Sequence, residues 1–182
     1  MVSIHDFYVG YKQTVLAADE FIASFTLERD KLTHFHRFYK VSKRMEDDIS
    51  SVMLAVRFAV SEGKITAVRL AFGGMAATPV RVTDAEHAFC QQASDDPQAF
   101  NLAIEQIQQA LRPMSDMRAS ARYRLDAACN LVKKAWLELN GTEILTFSGH
   151  ALPDMVLVNS SDESGYKRQG ERQGRQGGQS HA

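Results

Sequence analysis

An α+β fold is what this sequence predicts: a small antiparallel sheet of three to four strands packed against about three helices, followed by a disordered tail. Three observations predict it. Two strand-period runs flank a tight turn between residues 52 and 72. Three helix-period runs follow between residues 83 and 139. Residues 160–182 have neither period and almost no apolar side chain. Strands first and helices afterwards segregate the helices to one face of the sheet. At 182 residues with 45% apolar composition, one domain with a tail can bury its own core without disulfide or metal.

The hairpin is the firmest element. Val52, Leu54, Val56, Phe58 and Val60 alternate with Met53, Ala55, Arg57 and Ala59, a period of two that puts one apolar face inward. Ser61-Glu62-Gly63-Lys64 supplies the turn, with Gly63 free to take a positive φ. Val68, Leu70 and Phe72 then share a face, and Gly73-Gly74 ends the strand by backbone geometry. Pro79 marks the loop that follows. The run Phe21-Ile22-Ala23-Ser24-Phe25-Thr26-Leu27, rich in strand formers and bounded by charges, predicts a further strand.

Thr83 is expected to cap a short helix reaching about Gln91. Asp96-Pro97 starts the next, a capping carboxylate before a proline at the first helical position. Phe100, Ile104, Ile107 and Leu111 lie on one side of it, and Pro113 ends it. The longest helix carries Leu125, Ala128, Val132, Ala135, Trp136 and Leu139 at three-and-four spacing. Lys133, Lys134 and Glu138 are expected to face away, and Asn140-Gly141 to close it. Met155-Val156-Leu157-Val158 suggests a last strand within 142–159. The Gly- and Gln-rich segment 160–182 cannot offset its ordering entropy. Its four basic and three acidic side chains nearly cancel, which favours a solvated tail over an RNA-binding one.

Composition excludes several function classes. With 21 basic and 22 acidic residues the net charge is -1, so no chain-wide basic field attracts nucleic acid or anionic membrane. No apolar run approaches a membrane span, and the first residues do not form a signal peptide. A cytoplasmic location is therefore expected. Cys90 and Cys129 are far apart and fit buried thiols rather than zinc or disulfide spacing. His34 and His36 would share a face only on a strand, and no third ligand stands near at metal spacing. There is no GxGxxG and no P-loop.

One segment stands out. Phe38 to Ile49 packs Lys40, Lys43 and Arg44, then Glu46, Asp47 and Asp48, immediately before a strand. Its plain reading is a solvated, self-compensating loop. Its sharper reading is a site facing an anion or an electron-rich ring, with a carboxylate close enough to tune that ring.

Tyr39-Lys40-Val41-Ser42-Lys43-Arg44 with Glu46-Asp47-Asp48-Ile49-Ser50 resembles the start of the C-terminal domain of the FAD-binding part of xanthine dehydrogenases and related molybdenum hydroxylases. The carbon monoxide dehydrogenase flavoprotein carries a similar domain. Arg69 to Pro79 resembles that family's glycine-pair segment, and Ser115 to Arg124 the segment entering its last helix. Phe7 to Thr14 resembles the end of the preceding flavin-domain lobe. The likeness runs in order over residues 4–139 and is nearest to the small subunit of the bacterial enzymes.

The resemblance implies a fold like the one derived above. It implies FAD as cofactor, passing electrons from a molybdenum centre through iron–sulfur clusters to NAD or another acceptor. It implies cofactor contacts at Ile22, Lys40, Arg44 and Asp47, and no catalytic or metal-binding residue in this chain. Met45 stands where some members have a second arginine. The expected organisation is 1–20 as a remnant of the preceding lobe, 21–141 as the α+β domain, 142–159 as an extension and 160–182 as the tail. The glycine-rich pyrophosphate lobe, the iron–sulfur cysteines and the molybdenum portion are not in this sequence, so it reads as a truncated piece of a larger subunit. Its expected partners are the chains carrying those portions, and it is not expected to turn over alone. The alternative is an interaction or dimerisation module, or an inactive remnant without flavin.

Overall fold

The computed structural model describes residues 1–43 and 49–144. A four-stranded antiparallel sheet runs in the order β3-β4-β5-β6. Its strands are Phe35–Val41 (β3), Val52–Ser61 (β4), Lys64–Gly73 (β5) and Val80–Arg81 (β6). Helices α2 (Thr83–Phe89), α3 (Pro97–Ala110) and α4 (Ala121–Leu139) follow. Ahead of them stand a one-turn helix α1 (Ile4–Phe7), a ribbon of β1 (Tyr8–Gly10) and β2 (Gln13–Thr14), and a 3-10 turn at Arg29–Thr33.

The hairpin forms as its period requires. Val52, Leu54, Val56 and Phe58 are buried on β4, and Ile65, Val68, Leu70 and Phe72 on β5. Ile65 and Val68 break strict alternation because the register shifts between Ala59 and Val60. That extra residue lets both side chains reach the core. Glu62 and Gly63 take φ of 51° and 74°, as a two-residue hairpin turn with right-handed strand twist demands.

Helices α2 and α4 lie against β5 and β4, while α3 packs on both helices rather than spanning the sheet. Phe58 meets Phe89 edge to face at 5.4 Å, and Phe100 stacks on Trp136 at 4.8 Å. The indole N–H of Trp136 donates to the Ser94 carbonyl at 2.7 Å, tying α4 to the loop before α3. Asp96 caps α3 by accepting from the Gln98 N–H at 2.8 Å. Gly141, with φ of 79°, follows the end of α4.

Five expectations are corrected. Residues 21–28 form no strand, because none of the strands among the described residues pairs with them. Phe35–Val41 is a strand instead. Its alternation of Phe35, Tyr39 and Val41 was masked by the charges between them. Thr83 does not cap α2: Val82 holds the cap position with no side-chain bond, and the helix ends at Phe89. Lys134 and Glu138 do not face away. Glu138 accepts from Arg37 Nε on β3 at 2.8 Å, and Lys134 lies over the Tyr39 ring at 5.0 Å. The two thiols are half-buried rather than buried. Met155–Val158 and the tail 160–182 lie outside the described residues.

Candidate functional site

The alternation of β3 decides what Lys40 can meet. Phe35, Tyr39 and Val41 pack against the core. His36, Phe38 and Lys40 therefore project to the opposite, outer face. Registers continue the rows across the sheet. Lys40 faces Met53 and then Gly73; Phe38 faces Ala55 and then Ala71; His36 faces Arg57 and then Arg69. The helices cover the inner face alone, and Phe38 and Met53 stay 67% and 41% exposed on the outer one. That face is a floor of small side chains with an aromatic and a thioether beside it and cations at both ends. Charge on the inner side of β3 is compensated differently. Burial, and then the charge of Glu138, pushes the Tyr39 hydroxyl well above the usual tyrosine range.

A second feature borders the segment between β3 and β4. Arg124, 4% exposed in the first turn of α4, donates through Nη1 to the carbonyls of Ser51 and of Gly74. Its Nη2 meets Asp116 Oδ1 at 2.6 Å. Asp116 also accepts from the N–H groups of Arg118 and Ala119 at 2.9 and 3.1 Å. The Arg118 N–H first, and the Arg124 guanidinium next, hold its carboxyl well below the usual carboxylate range. Lys43 Nζ donates to the Met117 carbonyl at 2.8 Å. The 116–124 segment thus grips residues 43 and 51, which stand on either side of residues 44–48. Between these parts lies a cleft of about 250 Å³ reached by Lys43, Arg118 and Tyr123. Gly74 is required here: its φ is +79°, and a Cβ would sit 2.6 Å from the Ser51 carbonyl oxygen.

Of the four sequence-predicted contacts, the structure describes two. Lys40 is exposed on the outer face of β3. Ile22 is 45% exposed in the unpaired segment before the 3-10 turn, and no described contact ties it to Lys40. Arg44 and Asp47 lie outside the described residues. Periodicity alone missed Arg124 and its partner Asp116. A signal existed: Arg124 precedes the buried Ala128 by four residues, which places an arginine on the core stripe of α4.

The family model of the CO dehydrogenase flavoprotein C-terminal domain matches residues 37–139, more than half of the chain. The chain belongs to that family. The match opens within β3 and closes at the last residue of α4, so it contains the outer face and the Arg124 contacts. The xanthine dehydrogenase FAD-binding subunit of Escherichia coli O157:H7 is 31% identical over 134 residues, covering 73% of this chain and 46% of that one. Xanthine dehydrogenase of Emericella nidulans is 32% identical over 110 residues, 59% of this chain and 8% of that one. The chain therefore spans about half the length of the FAD-binding subunits it matches. Among solved structures, carbon monoxide dehydrogenase from Hydrogenophaga pseudoflava superposes with a TM-score of 0.62 at 24% identity, over 76% of this chain and 46% of that one. Quinoline 2-oxidoreductase from Pseudomonas putida 86 gives 0.62 at 23%, over 78% and 48%. At those identities the likeness carries the fold.

The residues present fit one side of a flavin. A planar ring needs a flat surface and a cation able to stabilise its reduced, anionic form. Ala55, Ala71 and Gly73 are partly buried and small, and exposed Lys40 lies near the end of β3, the strand beside that of Ala55. No glycine-rich turn opens either of the longer helices: α3 is capped by Asp96 and α4 by Ser120. Among the described residues no helix is long and apolar enough to cross a membrane.

Proposed function

We propose that this chain is the C-terminal piece of the FAD-binding subunit of a xanthine dehydrogenase-type oxidoreductase, where it helps to hold the flavin that passes electrons to NAD or another acceptor. The observation that carries the proposal is the placement of Lys40. It stands on the outer sheet face, in a domain that the CO dehydrogenase flavoprotein C-terminal domain model matches over residues 37–139. In this reading Lys40 binds and orients the ring edge. Asp47 and Arg44 set the local charge beside it, and Ile22 supplies an apolar contact. FAD, when bound, supplies the redox chemistry. The chain's own residues position it and exclude water. Affinity for FAD is normally collected from ring, diphosphate and adenine contacts together. This chain alone is therefore expected to bind flavin weakly or not at all, and to lack turnover.

A titration of FAD fluorescence with the purified chain tests this reading. Saturable quenching that is lost in Lys40→Gln supports it. Saturable quenching unchanged in Lys40→Gln overturns the role of Lys40, and no quenching at high FAD assigns cofactor capture to the complementary lobe.

The interaction-module reading draws on a different observation. Phe21, Ile22, Phe25 and Leu27 are all exposed, together with Tyr8, Val9 and Tyr11 of the ribbon. So much apolar surface on one short stretch fits a face covered by another polypeptide. We place the complementary lobe of the flavin subunit there, with iron–sulfur and molybdenum portions as further partners in the cytoplasm. Co-expression with such a lobe is expected to give a co-eluting complex. A chain that stays monomeric beside it would sink the assignment.

A further inference from the structure

In the order β3-β4-β5-β6, β3 has a strand on one side, and no strand among the described residues lies on the other. Its seven residues pair with β4 in unbroken register and include no proline and no glycine. A regular, unblunted edge of this kind is a template for a further strand. Its free groups can be identified. Val41, at the end of β3, turns its carbonyl to the Ser51 N–H at 2.7 Å, on the β4 side. Main-chain groups alternate in direction along an antiparallel strand, so those of His36, Phe38 and Lys40 point away from β4. The His36 carbonyl accordingly accepts from a side chain, Arg37 Nη1, at 2.9 Å. The charge of this edge is of one sign. Residues 35–43 carry Arg37, Lys40 and Lys43, with His36 among them, and no acidic side chain. Glu138 of α4 meets Arg37 alone of these. On the outer face His36 stands opposite Arg57, whose Nε is buried without a hydrogen-bond partner. Between His36 and Lys40 the ring of Phe38 is exposed. A second copy of β3 on this edge would bring two cationic strands together with no acid between them, which is destabilising.

We propose that the free edge of β3 takes an extended acidic segment of a partner polypeptide as an added antiparallel strand. Main-chain hydrogen bonds to His36, Phe38 and Lys40 supply the affinity, and side chains on the outer face supply the choice of partner. The pleat sets the pattern of that segment. At alternate positions it carries an acid opposite His36, an apolar residue opposite Phe38 and an acid opposite Lys40. The acid opposite His36 extends toward Arg57 in the next strand. The apolar residue covers the exposed face of the Phe38 ring. The inference does not rest on the flavin reading: it needs the main chain of β3 and stands or falls without a ring at Lys40.

The test is titration of the full chain with a synthetic peptide of the same length as β3, Thr-Glu-Thr-Val-Thr-Glu-Thr, blocked at both ends. Fluorescence anisotropy of a labelled peptide reads binding, and amide exchange at His36, Phe38 and Lys40 reads the edge. Saturable binding is expected, with slowed exchange at those three amides. Methylating alternate peptide nitrogens keeps the charge and removes the strand's hydrogen bonds, and should weaken binding about tenfold or more. Replacing both Glu by Lys in the peptide should do the same. His36→Glu reverses the preference between the acidic and the basic peptide. Phe38→Pro removes an outward N–H that the β4 ladder does not use, so it should abolish binding with the fold retained; the His36 variant decides the matter if that chain does not fold. No saturable binding of the acidic peptide overturns the site. Equal binding of the methylated peptide overturns strand addition, and equal binding of the basic peptide overturns the acidic partner. A chain that dimerises with the β3 amides already protected assigns the edge to a second copy and overturns the proposal.

Discussion

Residues 21–27 and residues 52–72 have similar apolar content and opposite fates. Phe58 and Phe72 are 0% and 1% exposed, while Phe21 and Phe25 are 82% and 77% exposed. The difference is pairing. β4 has β3 on one side and β5 on the other, and α4 covers its inner face. Residues 21–28 have no strand beside them among the described residues. An apolar strand former is stabilised only when partners bury its side chains and take its backbone hydrogen bonds. The contrast separates a domain held by its own contacts from an exposed arm that has few of them.

The largest expected effect tests that division directly. Phe58 touches Phe35 and Phe89 within the core. Phe58→Ala removes a fully buried ring, and about 3–5 kcal/mol of stability should go with it. Phe25→Ala should leave the urea midpoint within experimental error while improving solubility. Equal losses in the two variants would show that the arm is part of the same cooperative core, and the comparison would fail.

A smaller effect is expected where the domain meets residues 43 and 51. Arg124→Met strands the Ser51 and Gly74 carbonyls and leaves Asp116 without its guanidinium, at a cost of about 2–4 kcal/mol. Gly74→Ala should cost about 1–3 kcal/mol, since its φ of +79° and its approach to Ser51 both oppose a Cβ. The pH dependence follows from Asp116. Its folded-state pKa is depressed, so its stabilisation is present at neutral pH and is lost as pH falls below the unfolded carboxyl value of about 4. Acid unfolding followed by circular dichroism should lose this component in Asp116→Asn. An unchanged acid limb would remove Asp116 from the network.

What the sequence reveals and what it conceals divide along the same line. Period two and a turn glycine made the 52–72 hairpin legible, and the Asp96-Pro97 pair placed the start of α3 within a residue. These signals are local and the contacts that satisfy them are local too. Phe21–Leu27 carries a strand's composition, but composition does not say whether a partner strand is present. β3 was hidden for the reverse reason. Arg37 interrupts its apolar face, and the features that hold it, Glu138 on Arg37 and Lys134 over Tyr39, come from α4 about a hundred residues later. The site shows the same limit. Resemblance picks out Lys40, but only the register puts it in line with Phe38 and His36 and brings Arg57 opposite Arg69.

The smallest effect sharpens the contrast most finely, because it uses one chemistry in both regions. Ser3 caps α1 by accepting from the His5 N–H at 3.3 Å, and Asp96 caps α3 by accepting from the Gln98 N–H at 2.8 Å. A lost N-cap typically costs about 1 kcal/mol when the helix is part of the cooperative fold. α3 buries Ala99, Ala103 and Ile107, so Asp96→Ala should lower the midpoint of global unfolding by that amount. α1 buries no residue, so its cap stabilises a single turn that can open without disturbing the core. Ser3→Ala should leave the midpoint where it is and speed amide exchange only near residues 5–7. A midpoint shift in Ser3→Ala equal to that in Asp96→Ala would place the arm inside the folding unit. It would also withdraw the argument that the arm's exposed side chains await a partner.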